Sequence, residues 1–145
     1  MPSCIYNRFF LDLATKAINL DTDDLRCVLV DSTYSAPNKD HTRWVTGGDP
    51  FDQEVVGSAY TAGGIQLGNT TVTQDDTNDL AKFDADDVTW QTSTITAQAA
   101  VIFDSTIANK NLIACYLFTE LKSSANGNFT IQWSSSGLME LKQGT

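Results

Sequence analysis

The sequence predicts a mainly β fold, an antiparallel β-sandwich or jelly-roll-like barrel that carries an N-terminal amphipathic helix. Three observations predict it. From residue 54 onward, short apolar runs recur, and the turn-forming pairs Gly63-Gly64, Asn126-Gly127 and Ser136-Gly137 punctuate them. Near the end, Phe129, Ile131 and Trp133 alternate with Thr130 and Gln132, the period of a strand buried on one face and wet on the other. After residue 50 no long helical pattern alternates with the strand-like runs, so a parallel α/β sheet is not expected.

The helix is expected within residues 1–20. Ile5, Tyr6, Phe9, Phe10, Leu13 and Ala17 recur at three- and four-residue steps, with Arg8, Asp12, Thr15, Lys16 and Asn19 opposite them. Ser3 is the expected N-cap, and Leu20–Asp24 ends the helix in polar residues. Residues 21–53 read as one strand and a long loop. Leu25–Val30 is the strand, Pro37-Asn38 breaks the loop, and Asp40–Val45 forms a single helical turn around Trp44. Residues 54–145 read as antiparallel β. The expected strands are Glu54–Val56, Ile65–Thr73, Leu80–Phe83, Thr94–Phe103, Leu112–Leu121, Asn128–Trp133 and Leu138–Leu141, with Asn126-Gly127 as a hairpin turn.

At 145 residues the chain is expected to form one domain, 1–145. A chain of this size buries about 70% of its unfolded surface, enough for a core without staples. Nine basic against eighteen acidic residues give a formal charge of −9. That balance argues against nucleic acid, which demands a basic footprint, and against an anionic membrane surface. No apolar run approaches the roughly 20 residues of a membrane span, and the start does not read as a secretory signal. Synthesis and retention in the cytoplasm, or release by lysis, is the expectation. Cys4, Cys27 and Cys115 lack metal or redox spacing; Cys27 and Cys115 sit in strand-like runs and read as buried structural thiols. A Cys27–Cys115 disulfide stays open from sequence, although a cytoplasmic origin argues against it.

No residue set reads as catalytic, and no cofactor or metal is expected. His41 is the only histidine, lies in a polar stretch and reads as solvated. Asp75, Asp76, Asp79, Asp84, Asp86 and Asp87 crowd one segment with only Lys82 opposing them. As an EF-hand loop starting at Asp75 the spacing fails, because Leu80 replaces the sixth-position glycine and Asp86 the twelfth-position glutamate. A calcium loop of another kind stays open; the favoured reading is an acidic rim that meets a basic partner or keeps the surface soluble. Trp44, Trp90 and Trp133, if exposed, would suit a carbohydrate-binding module, while a glycosidase needs a deeper cleft than this length supports.

Several segments in order resemble a family of small virion structural proteins of tailed bacteriophages. They are Asn7-Arg8-Phe9-Phe10, the acidic bridge and strand Asp21–Val30, Asp31-Ser32-Thr33-Tyr34 and Glu54–Gly64. Thr73–Asp79, Phe83–Trp90, Thr94–Ala97, Ala100–Phe103, Ser123–Trp133 and Gly137-Leu138 continue the match. Gln98 departs from it, where relatives would carry a bulkier or charged residue. The resemblance implies a non-enzymatic virion protein, favouring capsid decoration (cement) on the head surface over a tail or neck component. It implies the major capsid protein as partner and a homotrimer as the favoured oligomer. Tyr6, Phe9 and Phe10 are then the expected assembly contacts, with core packing of the same helix as the alternative. The acidic 75–87 segment would dock on basic capsid loops.

Overall fold

The structure, a computed structural model, describes residues 1–144; the last residue of the 54–145 expectation lies outside them. The chain is mainly β. In order it forms β1 (Cys4–Ile5), α1 (Asn7–Ala14), β2 (Leu25–Val30), a 3-10 turn (Phe51–Gln53), β3 (Ile65–Gln66), β4 (Thr71–Asp75) and β5 (Leu80–Asp84). Two long strands follow, β6 (Val88–Asp104) and β7 (Leu112–Ile131), and then β8 (Met139–Lys142). Five strands form one antiparallel sheet in the order β1-β7-β6-β2-β3, and three form a second in the order β4-β5-β8. Neither closes into a barrel. The arrangement is consistent with a β-sandwich.

Two neighbouring rows across the large sheet explain the sequence of β2, LRCVLV, which is apolar at nearly every position. One row runs Cys4, Cys115, Val101, Val28; the next runs Ile5, Ala114, Ile102, Cys27, Ile65. The first row points into a core with Tyr6, Tyr34 and Trp44, and the second into a core with Phe9, Phe83 and Met139. The sheet is thus buried on both faces, and a strand buried on both faces has no polar side to show. The loop after β2 covers one face, while α1 and the second sheet cover the other.

Several expected boundaries are corrected. The helix is eight residues long, begins at Asn7 and is N-capped by Tyr6 without a side-chain hydrogen bond, so Ser3 is not the cap. Ser3 Oγ instead accepts from the Leu117 backbone N–H at 2.9 Å, because Cys4–Ile5 is a strand on β7. The turn expected over Asp40–Val45 is absent; Arg43 bridges Asn111, and the 3-10 turn falls at Phe51–Gln53. Glu54–Val56 shrinks to one bridge between Glu54 and Val30, which leaves Val56 fully exposed. Ile65–Thr73 divides into β3 and β4, which belong to different sheets. Gly64 sets the approach of β3: its φ is +67°, and a Cβ there would lie 2.0 Å from the Cys27 carbonyl oxygen.

Asn126-Gly127 is not a hairpin turn. Leu112–Leu121 and Asn128–Ile131 are one strand, and both flanks of the pair bond to β6, Ser124 opposite Ile95 and Gly127 opposite Ser93. Asn126 takes φ 53° and forms a bulge. The left-handed preference that marks a turn serves a bulge equally well. A larger irregularity lies between the pairs Ala97–Lys122 and Ala99–Leu117, where Gln98 alone faces Phe118–Leu121. The Gln98 amide donates to the Phe118 carbonyl at 2.9 Å and ties the bulge down, a use of this side chain that a bulky residue would not supply.

Candidate assembly surface

Helix α1 turns Phe9 inward and Phe10 outward. Phe9 is fully buried, whereas Phe10 and Leu11 are 53% and 51% exposed. Tyr6, which precedes the helix, is also fully buried, and its hydroxyl lies 2.9 Å from that of Tyr34. Tyr34 in turn reaches His41 Nδ1 at 3.1 Å, so the histidine is half-buried and bonded rather than free in solvent. Burial pushes the Tyr6 hydroxyl far above its ordinary range and Tyr34 up to about 12, which keeps both neutral. Of the three aromatic residues expected at an interface, Tyr6 and Phe9 are therefore core residues and Phe10 alone is presented. Leu11 is the residue the sequence did not single out.

A polar network fixes this helix in place. Asp12 is buried, accepts Arg8 Nε at 2.9 Å on one oxygen and Asn111 Nδ2 at 2.8 Å on the other. The pair joins α1 to the turn between β6 and β7 and so decides which face Phe10 shows.

The six aspartates do not form one site. Asp75, Asp76 and Asp79 surround the β4–β5 turn, while Asp84 closes the other end of β5 and Asp86 and Asp87 lie just past it. Asp75 accepts from the Thr77 and Asn78 backbone N–H groups and the Asn78 amide, bonds that hold its carboxyl below the usual range. Asp79 occupies the left-handed region of the turn at φ 54°. Asp84 pairs with Lys82 at 3.3 Å, Asp86 accepts from Asn69 at 2.7 Å, and Asp87 accepts from the Trp133 backbone N–H at 2.9 Å. These carboxylates cap turns and pin loops. Among the described residues no three His, Cys, Asp or Glu side chains converge on a point that could hold a metal ion.

Sequence reading missed a carboxyl pair at the end of β6. Asp104 is fully buried; one oxygen accepts the Thr106 N–H at 2.8 Å and the other has no hydrogen-bond partner among the described residues. Burial, with the Asp23 carboxylate beside it, pushes Asp104 up to about 6. The signal available was an Asp closing an apolar strand before Ser105-Thr106, the pattern of an Asx turn.

The tryptophans are not a sugar platform. Trp44 stacks on Phe103 with ring centroids 5.5 Å apart, and Trp90 lies against Tyr60 and Phe129, both buried in the core. Trp133 is half-buried on Tyr116, and its indole N–H donates to the Asp86 carbonyl at 2.9 Å.

The outer edge of β7 is the feature most suited to meeting another chain. β1 covers it only at Ala114 and Cys115, and β7 pairs with β6 along its inner edge. From Phe118 to Ile131, no strand among the described residues pairs with that outer edge. Leu121 is exposed there, and a separate shallow groove of about 370 Å³ is lined by Phe118, Lys122, Ser123 and Asn128 of the same strand and by Gln132 just past its end. An open edge offers backbone donors and acceptors in register to an incoming strand. Among the described residues no helix is long and apolar enough to cross a membrane. No family model, curated protein or solved structure matches the chain.

Proposed function

We propose that this chain is a structural, non-enzymatic protein of a tailed-phage virion, and within the virion a capsid decoration protein that binds the major capsid protein on the outside of the head. The resemblance of the sequence segments from Asn7-Arg8-Phe9-Phe10 to Gly137-Leu138 supports the family reading. The open outer edge of β7, next to the exposed Leu121, is the observation that carries the mode of attachment. A cement protein stabilises a shell by binding its assembled form, so the gain follows occupancy. Many identical copies add avidity, and a modest interface per copy suffices, as does a trimer at a three-fold position. A formal charge of −9 suits a basic docking surface and sets orientation and association rate more than affinity.

The test is the purified particle. Mass spectrometry should find this chain in virions that carry its gene, and a cryo-EM map should place its density on the shell. Density on the tail or neck would move it to those structures. Virions lacking the chain altogether would end the proposal and leave a free host-surface-binding protein as the reading to pursue.

A further inference from the structure

Cys4 and Cys115 face each other across β1 and β7 as register partners. Directly opposed residues of an antiparallel pair point to the same face, with Cα atoms about 4.5–5.5 Å apart, inside the window of about 4.4–6.8 Å that a disulfide spans. Both side chains enter the same core cluster, and both thiols are free. Cys27 is placed differently. It lies on β2, with β6 between it and β7, and it points into the opposite core. The Cys27–Cys115 pairing left open by the sequence is therefore ruled out by position.

We propose that Cys4 and Cys115 form a latent disulfide site, closed by exchange with a low-molecular-weight disulfide such as oxidised glutathione, that staples β1 to β7. The inference does not depend on the virion reading. Cys4 is the attacking thiol. It sits on a two-residue edge strand, where burial raises its thiol above the ordinary value and the charge of Lys39 offsets part of that rise; detachment of this short strand would expose it to the small disulfide. Its thiolate attacks one sulfur of the small disulfide, forming a mixed disulfide and releasing one thiolate. Cys115, whose thiol burial pushes up to about 12, loses its proton to solvent while the short strand β1 is detached and attacks the Cys4 sulfur, releasing the second small thiolate. In total two protein thiols are oxidised and one small disulfide is reduced to two thiols. Because residues 4 and 115 are far apart in sequence, the link closes a long loop and restricts the unfolded chain strongly.

The full chain is equilibrated with oxidised glutathione, and free thiols are counted after denaturation. The count is expected to fall from three to one, and peptide mapping should join Cys4 to Cys115 with the loss of two hydrogens. The unfolding midpoint should rise by on the order of 10 °C and return on reduction with dithiothreitol. The C27S variant should cross-link as the parent does, while C115S should stop at a glutathione adduct on Cys4. Three thiols surviving oxidation, a link through Cys27, a link between two chains, or a cross-linked protein with an unchanged midpoint would each overturn the proposal.

Discussion

A buried carboxyl with one oxygen unpartnered takes up a proton readily, and Asp104 is in that position. Its folded pKa of about 6 lies above the ordinary value of 3.8, so between these values the native state binds more protons than the unfolded chain. Stability contributed by that proton is present in full below pH 4 and is lost as pH rises through 6. Titration of unfolding free energy with pH should show this group's decline, at most about 3 kcal/mol over the window. Asp104→Asn keeps an oxygen for the Thr106 N–H and offers N–H donors toward Asp23. It should flatten the decline and raise stability at pH 7; a variant that keeps the parent's slope would show that another group titrates. Asn111 tests the second buried carboxylate. Asn111→Ala strips a hydrogen bond from Asp12 without exposing it to water and should cost about 2 kcal/mol by denaturant unfolding. Arg8→Ala should cost less, because the Arg8 side chain is one-third exposed and water can replace part of what it gives.

Helix α1 shows how two adjacent aromatics divide their work. Phe9→Ala should cost about 3–5 kcal/mol, whereas Phe10→Ser should leave stability within about 0.5 kcal/mol. If the helix face meets the capsid, Phe10→Ser weakens binding to purified heads in a co-sedimentation assay; if binding is unchanged, Phe10 is an idle surface residue. The sequence periodicity made a helix around these residues legible but not which ring is inside. A stripe running from Ile5 to Ala17 covers nearly every turn, and the choice depends on Asp12 reaching Asn111, a partner distant in the chain. The strand Cys4–Ile5 was illegible for the same reason, since two residues carry no period and their partner lies at Ala114–Cys115. β2 was legible because burial on both faces writes a continuous apolar run. Asn126-Gly127 misled because its backbone preference is local while the pairing of its flanks with β6 is not. Of the acidic segment, the composition was legible and the separation was not, because β5 places its two halves at opposite ends.

At the scale of the whole molecule, the β6–β7 hairpin is a strand pair of unequal security. Near its turn, residues 99–104 and 112–115 lie in a sheet buried on both faces, while along Phe118–Asn126 the outer edge of β7 is open and broken by bulges. Open edges invite uncontrolled pairing, and the bulges, the exposed Glu120–Lys122 pair and the net negative charge all oppose it in the free chain. Hydrogen exchange should therefore be slowest in β2 and in the turn half of the hairpin, approaching the rate of global unfolding. Amides of 118–126 that face away from β6 should exchange orders of magnitude faster in the free protein. If the edge is where the chain joins a capsid, the same amides gain protection on binding to heads, and Leu121→Lys, which puts a charge on that edge, reduces binding with little change in stability. Fast exchange that persists in the bound state would move the contact elsewhere, with the exposed Phe10 and Leu11 of α1 the next surface to test.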